Sequence, residues 1–310
     1  MTLHPEIKKV LDSIPKLDYK QKIILEEQRK AFNKPTLPVE KRVPVYSIEE
    51  RTIKVSDAED IPIRIYTPKE SNDYPLLMYF HGGAFISGDL ESHDEIVRPI
   101  SRESGYKAIS VGYRLAPEYP FPTGLQDCYD AIKWAINHKA ELKWDGKNLA
   151  VVGDSAGGNL ATAVSLVARD KKEFTITKQV LYYPSLDLDV NKFRYVSLIE
   201  NGKGYGLESD QLADYNSFYS SGNIDFNNPL VSPVKEQNLE KLPSTFIITA
   251  EYDPLRDEGE LFAENLRKSG VHVETKRYEG AIHGFLGKFT HLNEYKDSYQ
   301  RTGTFLNEEI

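Results

Sequence analysis

Residues 149–157 have the sequence LAVVGDSAG, in which a short apolar run leads into a serine flanked by small residues. The run 149–152 predicts a buried strand, and the stretch 156–168 predicts a helix. A Gly-x-Ser-x-Gly turn between a strand and a helix is typical of a nucleophile elbow, which exposes the serine at the edge of a sheet. Ser155 is therefore the candidate nucleophile. The alternative is an ordinary serine cap at the start of a helix.

The rest of the chain alternates between predicted strands and predicted helices. Short apolar runs bounded by turn residues are typical of parallel strands buried on both faces. Two earlier segments, 50–55 and 61–66, instead alternate apolar and polar residues, which predicts antiparallel edge strands. Together these patterns predict an α/β fold with a mostly parallel sheet and helices on both faces. The other predicted strands are 76–80, 108–113, 179–183, 245–249 and 271–278.

Two segments do not fit this alternation. The N-terminal segment carries a helical pattern from Ile24 to Phe32, and the polar segment 185–226 carries one around Tyr215 but no convincing strand. Amphipathic helices must bury their apolar side, and the insertion leaves the sheet at the edge where Ser155 lies. We therefore predict a helical cap above Ser155, formed by an N-terminal segment (1–43) and an insertion (185–226). The core parts are then 44–184 and 227–310, and the candidate pocket residues are Phe32, Tyr205, Tyr215 and Phe218.

The candidate acid follows the predicted strand 245–249. Catalytic groups in this type of fold follow in the order serine, acid, histidine, and they lie at the carboxyl ends of strands. Asp253 meets both conditions, and Pro254 keeps it out of a helical conformation. Glu251 and Asp257 are the rivals, although Asp257 is better placed to begin the next helix.

The candidate base is one of seven histidines. His283 lies after the last predicted strand, in a loop with a glycine on either side of it. His272 falls within that strand, and His291 lies in a polar C-terminal segment. The base is expected after the acid in the chain, and of these three histidines only His283 lies in a glycine-flanked loop just beyond a strand, so we predict that it activates Ser155.

A second glycine motif, His81-Gly82-Gly83-Ala84, follows the predicted strand 76–80. A loop of this kind at that position is typical of an oxyanion hole, since glycine amides can approach a substrate closely. We predict that the amides of Gly82, Gly83 and Ala156 hold the oxyanion. The imidazole of His81 is expected to be structural. The alternative is a simple glycine turn after a strand.

The motifs together resemble those of the bacterial hormone-sensitive-lipase-like esterases, over about residues 66–285. The resemblance implies an eight-stranded α/β-hydrolase core, hydrolysis of short- to medium-chain esters, and no cofactor or metal ion. It also implies a cap made of the N-terminal helix and the insertion. Ala84 departs from the glycine usual at that position. The matching motifs are HGGAF at 81–85, YRLAPE at 113–118, GDSAGGN at 153–159, DPLRDE at 253–258 and HGF at 283–285.

Composition limits the partners and the compartment of the 310-residue chain. A net charge of −8 argues against nucleic acid and anionic lipid, which select basic surfaces. A single cysteine, Cys128, predicts a reducing compartment, and no apolar run reaches the length of a signal peptide or a membrane span. We therefore expect a cytoplasmic protein without stable membrane association, whose partner is a small ester. The oligomeric state stays open between a monomer and a homodimer.

Two other functions are compatible with the same residues. An amide or peptide could replace the ester as substrate, because the same three catalytic groups serve both. A non-catalytic ligand receptor on a hydrolase scaffold is the second alternative, although such a receptor does not need all three groups. A chromogenic ester assay separates these classes.

Overall fold

The computed structural model describes residues 2–13, 24–35, 37–191, 194–220, 224–289 and 291–309. Eight strands form one sheet. They are β1 (Ser47–Lys54), β2 (Asp60–Thr67), β3 (Tyr74–Phe80), β4 (Lys107–Val111), β5 (Trp144–Asp154), β6 (Lys178–Tyr182), β7 (Ser244–Tyr252) and β8 (Val273–Ile282).

The order of the strands across the sheet is β1-β2-β4-β3-β5-β6-β7-β8. Strand β2 runs antiparallel to both of its neighbours, and every pair from β4 to β8 is parallel. The prediction of two antiparallel strands at one edge of a mostly parallel sheet is confirmed. The parallel strands therefore end at one common edge, where the candidate catalytic residues are expected to meet.

Eleven α-helices lie in the described part of the chain, and none of them combines the length and apolarity that crossing a membrane requires. They are α1 (Pro5–Ser13), α2 (Leu25–Phe32), α3 (Asp94–Ser104), α4 (Thr123–Asn137), α5 (Lys139–Leu142), α6 (Ala156–Lys171), α7 (Val196–Glu200), α8 (Ser209–Ser220), α9 (Arg256–Lys268), α10 (Phe285–Lys288) and α11 (Asn293–Asn307).

Apolar residues cover both faces of the sheet, and β3 shows how. Leu76 and Met78 point to one face, into the core cluster that also contains residues of α4, α6 and α9. Leu77 and Tyr79 point to the other face, into a second cluster with residues of α3 and α11. Successive residues of a strand alternate between faces, so a continuous apolar run serves both clusters. The predicted α/β-hydrolase core with helices on both faces is confirmed.

The two segments outside the sheet are helical where they are described. The predicted N-terminal helix is α2, which has no fully buried side chain. An additional helix, α1, was not predicted, and Ile7 is its one buried residue. The insertion contains α7 and α8, and the described residues of 185–226 form no strand.

Candidate active site

The turn between β5 and α6 places Ser155 at the carboxyl edge of the sheet. Ser155 has φ 54° and ψ −118°, a backbone conformation that costs a residue with a side chain about 1–3 kcal/mol. A methyl group on Gly157 would overlap the carbonyl oxygen of Phe80, and one on Gly153 would overlap that of Gly157. The glycines of the motif are therefore required by close backbone contact.

Ser155, His283 and Asp253 form a continuous chain of hydrogen bonds. Oγ of Ser155 lies 2.9 Å from Nε2 of His283, and Nδ1 of His283 lies 2.8 Å from Oδ2 of Asp253. Asp253 is fully buried, and its other carboxylate oxygen accepts the amide of Leu255 at 2.8 Å. Because the carboxylate can only accept, Nδ1 of His283 carries the proton and Nε2 is free to accept one from the serine.

The two rival acids are engaged elsewhere. Oε2 of Glu251 accepts the backbone amide of Gly280 at 2.7 Å. Oδ2 of Asp257 accepts the amide of Ser197 at 2.8 Å, which ties the insertion to the start of α9. Both carboxylates therefore have structural partners, whereas that of Asp253 is the one that contacts His283.

The loop of residues 81–88 lies beside Ser155, and its first residues are hydrogen-bonded to the turn that carries Ser155. The amide of Gly82 donates to Oδ1 of Asp154 at 2.9 Å, and the hydroxyl of Tyr79 donates to the same oxygen at 2.6 Å. Burial acts to raise the pKa of Asp154, but the neighbouring His93 and the donated hydrogen bonds hold it below its ordinary value. The Gly82 amide therefore has a charged partner already. This argues against its predicted place in the oxyanion hole.

The next residues of the loop are wound in a left-handed conformation, with φ 119° at Gly83, 54° at Ala84 and 64° at Phe85. In the described part of the chain the amides of Gly83 and Ala84 have no acceptor, and both residues line the cavity at Ser155. The amide of Ala156 is the first of α6 and has no partner within the helix. These three amides are therefore available to an oxyanion.

His81 is buried beneath the loop. Its Nδ1 lies 2.8 Å from the carbonyl oxygen of Gly82, and its ring stacks on Tyr113 with 4.2 Å between ring centroids. Burial and the neighbouring His93 lower the pKa of His81 to about 4. The ring is therefore neutral near neutral pH, and its contacts lie with the backbone of the loop.

Comparisons with known proteins agree with this geometry. A model of the α/β-hydrolase fold family matches residues 77–287, which include all three residues of the hydrogen-bonded chain. The chain belongs to the α/β-hydrolase family. The hydrolase is 40% identical to an arylesterase of Saccharolobus solfataricus over 299 residues, 93% of each chain. It is 34% identical over 289 residues to the carboxylesterase NlhH of Mycobacterium tuberculosis, with 92% of this chain and 89% of that protein covered.

Solved structures of esterases also superpose on this chain. A hyperthermophilic esterase from Pyrobaculum calidifontis superposes with a TM-score of 0.92 at 36% identity, covering 99% of this hydrolase and 98% of that chain. The metagenomic carboxylesterase EstE1 superposes with a TM-score of 0.84 at 34% identity, covering 92% and 97%. The resemblance noted from the motifs is thus confirmed over nearly the whole chain.

A cavity of about 260 Å³ opens at Ser155. Both segments outside the sheet contribute to its wall, since α1 and α2 supply residues from one side and the insertion supplies residues from the other. Phe32 and Tyr215, two of the four predicted pocket residues, are among them. The lining residues from these two segments are Val10, Leu11, Gln28, Phe32, Gly206, Leu207 and Tyr215.

Tyr205 and Phe218, the other two predicted pocket residues, do not line this cavity, and the prediction is corrected. The ring of Tyr205 stacks on Tyr252, with 5.0 Å between centroids. Phe218 packs against the core cluster on the α4 and α6 side of the sheet. Each aromatic ring finds an apolar partner outside the cavity, and the sequence pattern does not distinguish that from a place in the wall.

Tyr183 is a lining residue that the sequence analysis missed. It directly follows β6, has φ 35°, and makes an edge-to-face contact with the ring of His283, with 4.9 Å between ring centroids. Its position at a strand end is the signal that could have identified it, by the same rule that selected Asp253 and His283.

Proposed function

We propose that this α/β-hydrolase is a serine carboxylesterase that hydrolyses short- to medium-chain acyl esters through an acyl-enzyme intermediate. The observation that carries the proposal is the unbroken hydrogen-bonded chain from Ser155 through His283 to the buried Asp253. The names of its relatives, an arylesterase and a carboxylesterase, support ester hydrolysis as the activity.

In the first half of the proposed reaction, Oγ of Ser155 forms a bond to the ester carbonyl carbon while Nε2 of His283 takes its proton. Asp253 fixes the tautomer of the imidazole and stabilises the positive charge that forms. The tetrahedral intermediate then collapses, the bond to the alcohol oxygen breaks, and His283 returns the proton to the departing alcohol. Ser155 is left acylated.

In the second half, water attacks the acyl carbon and His283 takes a proton from it. The bond to Oγ of Ser155 breaks, the proton passes to the serine, and the carboxylic acid leaves. The same imidazole therefore acts as base and then as acid in each half. Water supplies the hydroxyl group of the acid and the proton that returns to the serine, so the step balances.

We assign the oxyanion hole to the amides of Gly83, Ala84 and Ala156. None of these amides has an acceptor among the residues that the structure describes, and the two loop residues line the cavity at Ser155. Donors aimed at the position of the developing charge contribute most where water is excluded. The predicted donor Gly82 is replaced by Ala84 in this set, because the Gly82 amide is bound to Asp154.

The substrate range follows from the cavity. Residues of the N-terminal segment and of the insertion line it from opposite parts of the chain, which supports the proposal that 1–43 and 185–226 act as the cap. Each CH₂ group buried in an apolar wall contributes about 0.8 kcal/mol until the space is filled. A cavity of about 260 Å³ therefore favours short and medium acyl chains over long ones.

The test is a series of p-nitrophenyl esters of increasing acyl length, with Ser155→Ala as the control protein. We expect kcat/KM to be highest for short acyl groups, to fall for long ones, and not to rise when substrate forms an emulsion. Absence of turnover on every ester, or a preference for long-chain emulsified substrate, would contradict the proposal.

A further inference from the structure

The oxyanion loop, residues 81–88, is held from outside by the N-terminal cap segment. Nε of Arg29, in α2, donates to the carbonyl oxygen of Ile86 at 2.6 Å. Oδ1 of Asn33, which directly follows α2, accepts the amide of Gly88 at 2.8 Å. Two side chains one helical turn apart therefore bind the backbone of the second half of the loop.

Arg29 also joins this loop to a second one. Its Nη2 donates to the carbonyl oxygen of Ala116 at 2.9 Å, and the amide of Ala116 donates to the carbonyl oxygen of Phe85 at 2.9 Å. The guanidinium thus closes a ring of hydrogen bonds between the two loops. Its ion pair with Glu118 is half-exposed, so the backbone acceptors matter more than the charge.

The loop needs such support because of its backbone. Gly83, Ala84 and Phe85 are left-handed in succession, and two of them are not glycine. Backbone in such conformations persists only where surrounding contacts over-determine it. The ring of Phe85 supplies one contact by stacking on Tyr219, but the carbonyl of Ile86 and the amide of Gly88 are held by side chains of the cap segment.

We propose that Arg29 and Asn33 are positioning residues, which hold the oxyanion loop in the shape that aims the Gly83 and Ala84 amides at the substrate. This inference rests on the proposed esterase function, and it adds a role for α2 beyond lining the cavity. The N-terminal segment then governs turnover as well as substrate selection.

Two roles of α2 can be separated by kinetics: lining the cavity as a wall, and holding the oxyanion loop through Arg29 and Asn33, which we call the clamp. If α2 acts only as a wall, through Gln28 and Phe32, changes at Arg29 alter KM and acyl preference. If Arg29 holds the donors of the oxyanion hole, its loss weakens an interaction made in the transition state, so kcat falls while KM stays nearly constant.

The experiment compares Arg29→Ala and Asn33→Ala with Lys30→Ala, which removes an exposed positive charge from the same helix. Each is assayed for kcat and KM on a short p-nitrophenyl ester and for melting temperature. The rate of Ser155 labelling by a small fluorophosphonate is also measured, because phosphonylation uses the same donors and needs no ester turnover. Asn33→Asp keeps the acceptor oxygen and serves as the rescue variant.

We expect kcat and the labelling rate of Arg29→Ala to fall together by about tenfold or more, less than the 10²–10³ that loss of a whole donor costs. Asn33→Ala should behave similarly, Asn33→Asp should recover, and Lys30→Ala should match the wild type. Equal kcat and labelling rates in all of them, or a change confined to KM, overturns the clamp. If wild type turns over no ester, the proposed function fails, and the labelling rates alone decide the clamp.

Discussion

The amide nitrogen of Gly82 lies 2.9 Å from Oδ1 of Asp154, the residue that precedes the candidate nucleophile. The same oxygen accepts the hydroxyl of Tyr79, and the carboxylate is almost fully buried. This bond fixes the first half of the oxyanion loop to the elbow itself. The loop that carries the proposed oxyanion donors is therefore tied directly to the turn that carries Ser155.

Removal of that carboxylate should cost stability and turnover together. Asp154→Ala leaves the Gly82 amide and the Tyr79 hydroxyl buried without an acceptor, at about 1–3 kcal/mol for each group. Tyr79→Phe removes one donor and keeps the bond to Gly82, so it should cost about 1 kcal/mol and leave kcat nearly unchanged. Urea unfolding and kcat measurements check both, and equal behaviour of the two variants would contradict the role given to Asp154.

Substitution of the candidate nucleophile should lower kcat more than any other change. Ser155→Ala should lower kcat by about 10⁶ and leave the fold intact, because the serine and the histidine act as a unit. A fluorophosphonate should label one serine per chain, and peptide mapping should place it at Ser155. An adduct at another serine, or substantial turnover by the alanine variant, would show that the elbow serine is not the nucleophile.

Substitution of the two aspartates that follow β7 should have clearly different effects on turnover and stability. Asp253→Asn should lower kcat by about 10⁴, because an amide favours the wrong tautomer of His283. Asp257→Asn should change kcat little and reduce stability, since Asp257 binds the amide of Ser197 in the insertion. Steady-state kinetics and thermal melts of both variants test the assignment, and the reverse ranking would transfer the acid role to Asp257.

Helix α8 carries two aromatic residues that can be compared, one in the cavity wall and one outside it. Tyr215 lines the cavity and Phe218 does not. Tyr215→Ala should enlarge the cavity and raise kcat/KM for longer acyl groups, by up to about fourfold for each added CH₂ that is buried. Phe218→Ala should lower stability without changing the preference. Identical acyl-length profiles for the two variants would mean that Tyr215 does not contact the acyl group.

The burial of His81 predicts sensitivity to acid. In the folded protein its pKa is lowered to about 4 from the ordinary value of 6.5, so only the unfolded chain takes up this proton between those values. Stability is therefore lost as pH falls from 6.5 to about 4, by about 3 kcal/mol from this residue. The free energy of unfolding of His81→Asn should depend less on pH in this window than that of His291→Asn, an exposed control. Equal slopes would rule out His81 as the source.

The sequence was sufficient where a residue's role follows from its place along a strand. The sheet, Ser155 and the approach of Asp253 and His283 could all be predicted, because the ends of parallel strands meet at one edge. The pairing of Gly82 with Asp154 could not, since it joins residues 72 positions apart by a bond that neither motif specifies. The cap was predicted only in outline, because an aromatic such as Phe218 has the same pattern whether it faces a cavity or the core.

The position of α2 has a consequence for the directed evolution of new substrate preferences in this enzyme. A mutational library at Tyr215 and Leu207 samples the wall without disturbing the hydrogen bonds around the oxyanion loop, so most members should stay active. A library spread evenly along α2 would include Arg29 as well as Gln28 and Phe32, and many of its members would be discarded for slow turnover. Diversity is therefore better introduced on the insertion first, with α2 changed only at the residues that face the cavity.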